Sequence, residues 1–131
     1  MKTILVVEDL LRTRHLICKK LWSKGYSTVN AASAQEAYAL LAHEAGQINL
    51  VLSDVDVPDT TGFDLLKKIK TNPSLENIPV VFWTSDYHTD MIKYSGDSGV
   101  ASLVSRPCCD ENFFSEIDRA MNTRGAMINL A

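Results

Sequence analysis

The chain has 131 residues, 46% of them hydrophobic, a length that suits one domain with a substantial buried core. With 13 basic against 16 acidic side chains and a formal net charge of −3, it presents nothing that favours direct nucleic-acid binding or an anionic membrane. No apolar stretch reaches the length of a membrane span, Met1-Lys2 runs into a strand pattern rather than a leader, and three cysteines, two of them neighbours at Cys108-Cys109, suit neither a disulfide framework nor zinc; a reducing cytoplasm is expected.

The first apolar run, 3–7, is a buried strand that delivers Glu8-Asp9 at its carboxyl end. A helix over 10–24 puts Ile17 and Leu21 on one face, and Gly25 stops it. After a second strand at 27–31, Ser33-Ala34-Gln35-Glu36 has the form of a capping box, opening a helix in which Ala37, Leu40 and Leu41 share a face. The third strand, 49–53, ends at Asp54. The helix over 61–70 carries Leu65, Leu66 and Ile69 and stops before Asn72-Pro73. A fourth strand at 78–83 leads to Thr84, and a helix over 87–97 contains Ser95-Gly96, which lower its helix propensity. The fifth strand, 101–104, leads to Arg106-Pro107, and a helix over 110–122 buries Phe114, Ile117 and Met121. One domain over 1–123 is expected, with 124–131 a tail or the start of a linker.

Five strands alternating with five helices predict an α/β fold, a doubly wound five-stranded parallel sheet with helices on both faces. Chemistry in such sheets collects outside the carboxyl ends of the strands. Two strands therefore bring Glu8, Asp9 and Asp54 to one rim. Carboxylates about 4 Å apart repel by about 4 kcal/mol at an effective dielectric of ~20, so a cation is needed among them. An all-oxygen site with room for water suits Mg²⁺, with Mn²⁺ as a substitute.

The residues Ile4-Leu5-Val6-Val7-Glu8-Asp9, Gly25-Tyr26, Asp54 with Pro58 and Gly62, Ile78-Pro79-Val80 before Thr84, and Gly99 with Arg106-Pro107 are spread over nearly the whole chain. Together they make it resemble the receiver domain of two-component response regulators. The resemblance implies a flavodoxin-like (βα)5 fold with strand order 2-1-3-4-5. It implies that Asp54 accepts a phosphoryl group from a sensor histidine kinase or a phosphotransfer protein. By the same resemblance Mg²⁺ is held by Asp9, Asp54 and the main-chain carbonyl of Asp56, with Glu8 acting through water. Thr84 would hydrogen-bond a phosphoryl oxygen, and Arg106 would supply a cation opposite the metal. The protein would be no enzyme beyond catalysing its own aspartyl phosphorylation and dephosphorylation. Output would pass through the loop and helix at 85–96, the strand at 101–105 and the helix at 110–122, to a downstream protein or a covalent output domain, and a homodimer is among the assemblies it allows.

The chain departs from the family pattern at four places. Arg106 stands where lysine is usual; it keeps the charge but is planar and bulkier. Leu103 stands where the family carries a switch aromatic, which removes the usual threonine–aromatic relay unless Tyr94 or Tyr87 rebuilds it. Asp56 and Asp86, each two residues beyond a site residue, occupy positions that modulate phosphoryl lifetime in the family. The Arg106-Pro107 bond would be cis by the same resemblance. The first two departures motivate the alternative of a pseudo-receiver, a constitutive protein-interaction module not switched by phosphorylation. A remote alternative, a haloacid-dehalogenase-like phosphatase, rests on Asp54-Val55-Asp56-Val57 alone and leaves Glu8-Asp9 unexplained. A flavodoxin-like electron carrier would need a phosphate-cradling loop where the chain has Glu8-Asp9-Leu10-Leu11.

Overall fold

A computed structural model describes residues 2–44, 46–54, 59–84, 102–105 and 111–122; for Thr84, 102–105 and Asn112 it describes the main chain alone. Strands β1 (Thr3–Val7), β2 (Ser27–Ala31), β3 (Leu50–Asp54), β4 (Val80–Thr84) and β5 (Ser102–Ser105) form one parallel sheet in the order β2-β1-β3-β4-β5. The helices are α1 (Leu11–Ser23), α2 (Ala34–Glu44), α3 (Gly62–Lys70) and α4 (Glu111–Asn122). The helix expected over 87–97 and the segment 124–131 lie outside the described residues.

Alternation along the strands sorts the core into two layers. Leu5, Val7, Val51, Val80 and Phe82 face α2 and α3, meeting Ala37, Leu41, Leu65, Leu66 and Ile69. Ile4, Val6, Leu50, Leu52, Val81 and Trp83 face α1 and α4, meeting Ile17, Leu21, Phe113, Ile117 and Met121. Both faces of the sheet are thus covered, as the uninterrupted apolar runs require. The pattern of α4 needs one correction. Phe113 is buried, while Phe114 is half-buried, with its ring edge-on to Phe113 and under the Lys24 ammonium. Positions 113, 117 and 121 form one stripe four residues apart, whereas 114 reaches 117 by a spacing of three; periodicity permits both.

Local stops and starts follow the sequence closely. Gly25 adopts φ 91°, and the Tyr26 and Gly25 amides donate back to the carbonyls of Leu21 and Trp22 at 3.1 and 3.0 Å, closing α1. The Ser33 hydroxyl accepts from the Glu36 amide at 3.1 Å, half of the expected capping box. Thr61 caps α3 by accepting from the Asp64 amide. Two strands begin later than expected, β3 at Leu50 and β4 at Val80, and residue 101, where β5 is expected to begin, lies outside the described residues. At β4 the reason is Pro79, which has no N–H to give a ladder, although its carbonyl accepts from Val51 at 2.9 Å.

Candidate acidic site at the strand ends

Register decides which side chains meet. β1 and β3 run parallel with Val7 opposite Ser53, so the residues next along each strand are Glu8 and Asp54. Asp9 follows Glu8 at once. A carboxylate oxygen from each of Glu8, Asp9 and Asp54 lies within 4.8 Å of the other two. Glu8 is fully buried, Asp54 half-buried and Asp9 exposed, so the cluster grades from the interior to water.

The donor set fits Mg²⁺. It is all oxygen, with no thiolate or imidazole in the cluster that would favour zinc or copper. Oxygens on opposite sides of Mg²⁺ at 2.0–2.1 Å sit about 4.2 Å apart, so small side-chain rotations would bring the carboxylates to the ion. The open side at Asp9 leaves room for the waters that Mg²⁺ retains.

The main chain under this cluster is held by further groups. Ser53 is buried and its hydroxyl donates to the Asp54 carbonyl at 2.8 Å. The Glu8 amide donates to the Ala31 carbonyl at 3.0 Å, and the Glu8 carbonyl accepts from the Arg14 guanidinium at 2.8 Å. Asp59, which the sequence reading passed over, accepts from the amides of Ala34 and Gln35 at 3.0 and 2.9 Å. It thereby caps α2 from the chain that follows β3. The Gln35 amide, with that of Ala34, holds the Asp59 carboxyl below the usual range against a smaller opposing effect of desolvation.

The other expected site residues divide by what the structure describes. Thr84 ends β4 one residue beyond Trp83, which stands opposite Asp54; its main chain is therefore at the same rim. Ser105 pairs with Thr84, so the strand pairing leads β5 to the residue before Arg106. Leu103 pairs with Phe82 through the main chain. Arg106 with its bond to Pro107, Asp56, Asp86, Tyr87 and Tyr94 lie outside the described residues, as do Cys108 and Cys109. Cys18 is buried and reduced, and its thiol donates to the Asn30 side-chain oxygen at 2.9 Å. Among the described residues no helix is long and apolar enough to cross a membrane.

Comparison with known proteins points the same way. The family model of the response regulator receiver domain matches residues 4–118. The two-component response regulator ORR12 of Oryza sativa subsp. japonica is 33% identical over 104 residues, covering 79% of this chain and 85% of that protein. A two-component response regulator-like protein of Arabidopsis thaliana, APRR3, is 36% identical over 79% of this chain but only 21% of its own length. The crystal structure of a response regulator receiver domain protein from Clostridium thermocellum superposes with a TM-score of 0.86 at 22% identity, covering 97% of this chain and 99% of that one; at that identity the likeness speaks for the fold.

Proposed function

Because the chain belongs to the response regulator receiver domain family of two-component signalling, we propose that it accepts a phosphoryl group on Asp54 from a sensor histidine kinase or phosphotransfer protein, in a Mg²⁺-dependent reaction in the cytoplasm. An Asp54 carboxylate oxygen attacks the phosphorus of a phosphorylated donor imidazole. The O–P bond forms as the P–N bond breaks, and the imidazole nitrogen leaves with that electron pair and takes up a proton. Asp9, Asp54 and the Asp56 carbonyl would hold Mg²⁺ (or Mn²⁺), with Glu8 acting through water. When bound, the ion offsets the negative charge of nucleophile and phosphoryl oxygens. The Thr84 hydroxyl donates to a phosphoryl oxygen, and Arg106 supplies the second cation. Water attacking the same phosphorus breaks the Asp54 O–P bond, releases inorganic phosphate and returns the Asp54 carboxylate. The protein's catalysis is confined to these two steps on itself, with Asp56 and Asp86 modulating how readily water arrives.

Phosphorylation adds about −1.5 to −2 charge at the rim. The change passes through 85–96, 101–105 and α4 to a downstream protein or a covalent output domain. With Leu103 in place of an aromatic side chain, the population shift is weaker than in a standard receiver.

The observation that carries this reading is the convergence of the Glu8, Asp9 and Asp54 carboxylates within 4.8 Å at adjacent strand ends. Intact mass after incubation with Mg²⁺ and a small phosphodonor tests it. A single phosphoryl increment that Asp54→Asn abolishes is the expected result; an unmodified wild-type protein under conditions that phosphorylate other receivers overturns it. A second reading, the pseudo-receiver, is favoured by Arg106 and Leu103. It predicts partner binding on the same face that a phosphoryl mimic leaves unchanged.

A further inference from the structure

We infer that Arg14 is a positioning residue for the acidic site, a role that rests on the reading of that site as a Mg²⁺ centre. The peptide joining Glu8 to Asp9 carries two of the three carboxylates, and it leaves β1 at the point where the strand ladder stops. Its orientation decides whether both side chains reach Asp54. The structure holds it from two directions. The Glu8 amide donates to the end of β2 through the Ala31 carbonyl at 3.0 Å. The Glu8 carbonyl, which belongs to the Glu8–Asp9 peptide itself, accepts from Arg14 Nη1 at 2.8 Å.

Arg14 is well suited to that task. It sits in the first turn of α1, where its own amide donates to the Leu10 carbonyl at 2.9 Å, so its backbone is fixed by the helix. Helix α1 is in turn anchored by Ile17 and Leu21, both fully buried against the sheet. The guanidinium therefore ties the strand end to a rigid element through a charge-assisted bond, which is stronger than a neutral one. Without it the peptide plane could turn, and the Asp9 carboxylate would move away from Glu8 and Asp54. Leu10 gives α1 no side-chain cap that would restrain the same peptide.

Charge and geometry make opposite demands here, which makes the inference testable by sign. A guanidinium beside a cation site repels the cation, so if Arg14 acted only as a charge, Arg14→Ala would bind Mg²⁺ more tightly. As a positioning group its removal weakens binding, by about tenfold, the low end of the range for partners that orient metal ligands. The experiment is calorimetric titration with MgCl2 of the full chain, wild type against Arg14→Ala and Arg14→Lys, at fixed ionic strength and well below the melting temperature. The amide ¹⁵N shift of Asp9 is followed in metal-free protein, because it reports a bond to the preceding carbonyl. Arg14→Ala should weaken Mg²⁺ binding and move the Asp9 amide; Arg14→Lys, which can still donate, should recover part of both. A general loss of stability would lower the melting temperature but leave the dissociation constant of folded protein unchanged. Should Arg14→Ala fail to fold, Arg14→Gln serves the same comparison. Binding as tight as or tighter than wild type in the variant overturns the inference while leaving the metal site standing. Absence of Mg²⁺ binding in wild type at millimolar concentration overturns the metal site itself, and the inference with it.

Discussion

Replacing Asp54 by asparagine should stabilise the metal-free protein, although it removes the residue on which the proposed activity depends. Asp54 and Glu8 bring carboxylate oxygens within 4.8 Å. Two charges at about that separation repel by about 3.5 kcal/mol at an effective dielectric of ~20, and by about 0.9 kcal/mol under full water screening. Glu8 is wholly buried and Asp54 half-buried, which places the repulsion between those limits, at roughly 2 kcal/mol. Asparagine keeps the shape and drops the charge. At ~2–4 °C per kcal/mol for a chain of this size, the melting temperature in chelator and low salt should rise by roughly 4–8 °C. Mg²⁺ narrows the gap. At a free concentration ten times its dissociation constant it stabilises the wild type by RT ln 11, about 1.4 kcal/mol, and the variant forgoes most of that. The difference should then fall to a few degrees or less. Thermal denaturation in chelator and in MgCl2 at matched ionic strength reads both effects. A variant no more stable than wild type in chelator, or a gap that MgCl2 leaves unchanged, would refute the electrostatic account of the cluster.

Other consequences are checked more simply. In a Trp22→Phe background, millimolar Mg²⁺ should change the emission of Trp83, which is buried opposite Asp54 on the adjacent strand; a flat titration would count against metal at this rim. Asp59→Asn should lower the melting temperature at neutral pH, since its folded carboxyl titrates below the ordinary range, chiefly through the Gln35 amide. A depressed carboxyl contributes stability above its unfolded pKa and loses it as pH falls through its folded value, so the gap between the two proteins should narrow as pH falls below about 4; a gap that does not narrow in acid would assign the effect to shape instead. Arg106→Lys should leave the fold intact and alter phosphorylation rate or lifetime, because charge is kept and geometry changes; identical time courses would remove Arg106 from the phosphoryl shell. Leu41→Ala, at a fully buried position in α2, should cost about 2–5 kcal/mol in urea unfolding with an unchanged slope.

Much of the fold was legible because β1, β3 and β4 are short apolar runs bounded by polar residues and each described helix carries a clear apolar stripe. The parallel sheet brought Glu8-Asp9 and Asp54 together as those runs predict, since β1 and β3 are neighbours in register. Boundaries were less legible. Whether 49 or 50 begins β3 depends on a partner strand that local sequence does not reveal, and Pro79 moved the start of β4 for want of an N–H. The choice between Phe113 and Phe114 was open because both spacings suit a helix, and contact with α1 and the sheet decided it.

The supporting groups were illegible for a different reason. Glu8, Asp9 and Asp54 announce themselves by chemistry at strand ends, whereas Arg14 and Asp59 have ordinary identities on exposed-looking segments. Asp59 caps α2 across 24 to 25 residues of chain, and only the adjacency of the loops after β2 and β3 makes that bond. Arg14 lies six residues from Glu8, outside any helical or strand spacing, so no periodicity connects them. A sequence displays the groups that must carry charge at a site, because few residue types can do so. It conceals the groups that aim them, because any donor within reach of a main-chain carbonyl would serve, and reach is a property of the folded chain. Arg14 grips the segment that carries two of the acidic residues through the main chain of Glu8, while Asp59 ties the chain beyond Asp54 to the start of α2. Substituting Arg14 should therefore disturb the geometry of the cluster while leaving every carboxylate in place. That is the behaviour to expect of a site whose strength lies in orientation rather than in the number of its ligands.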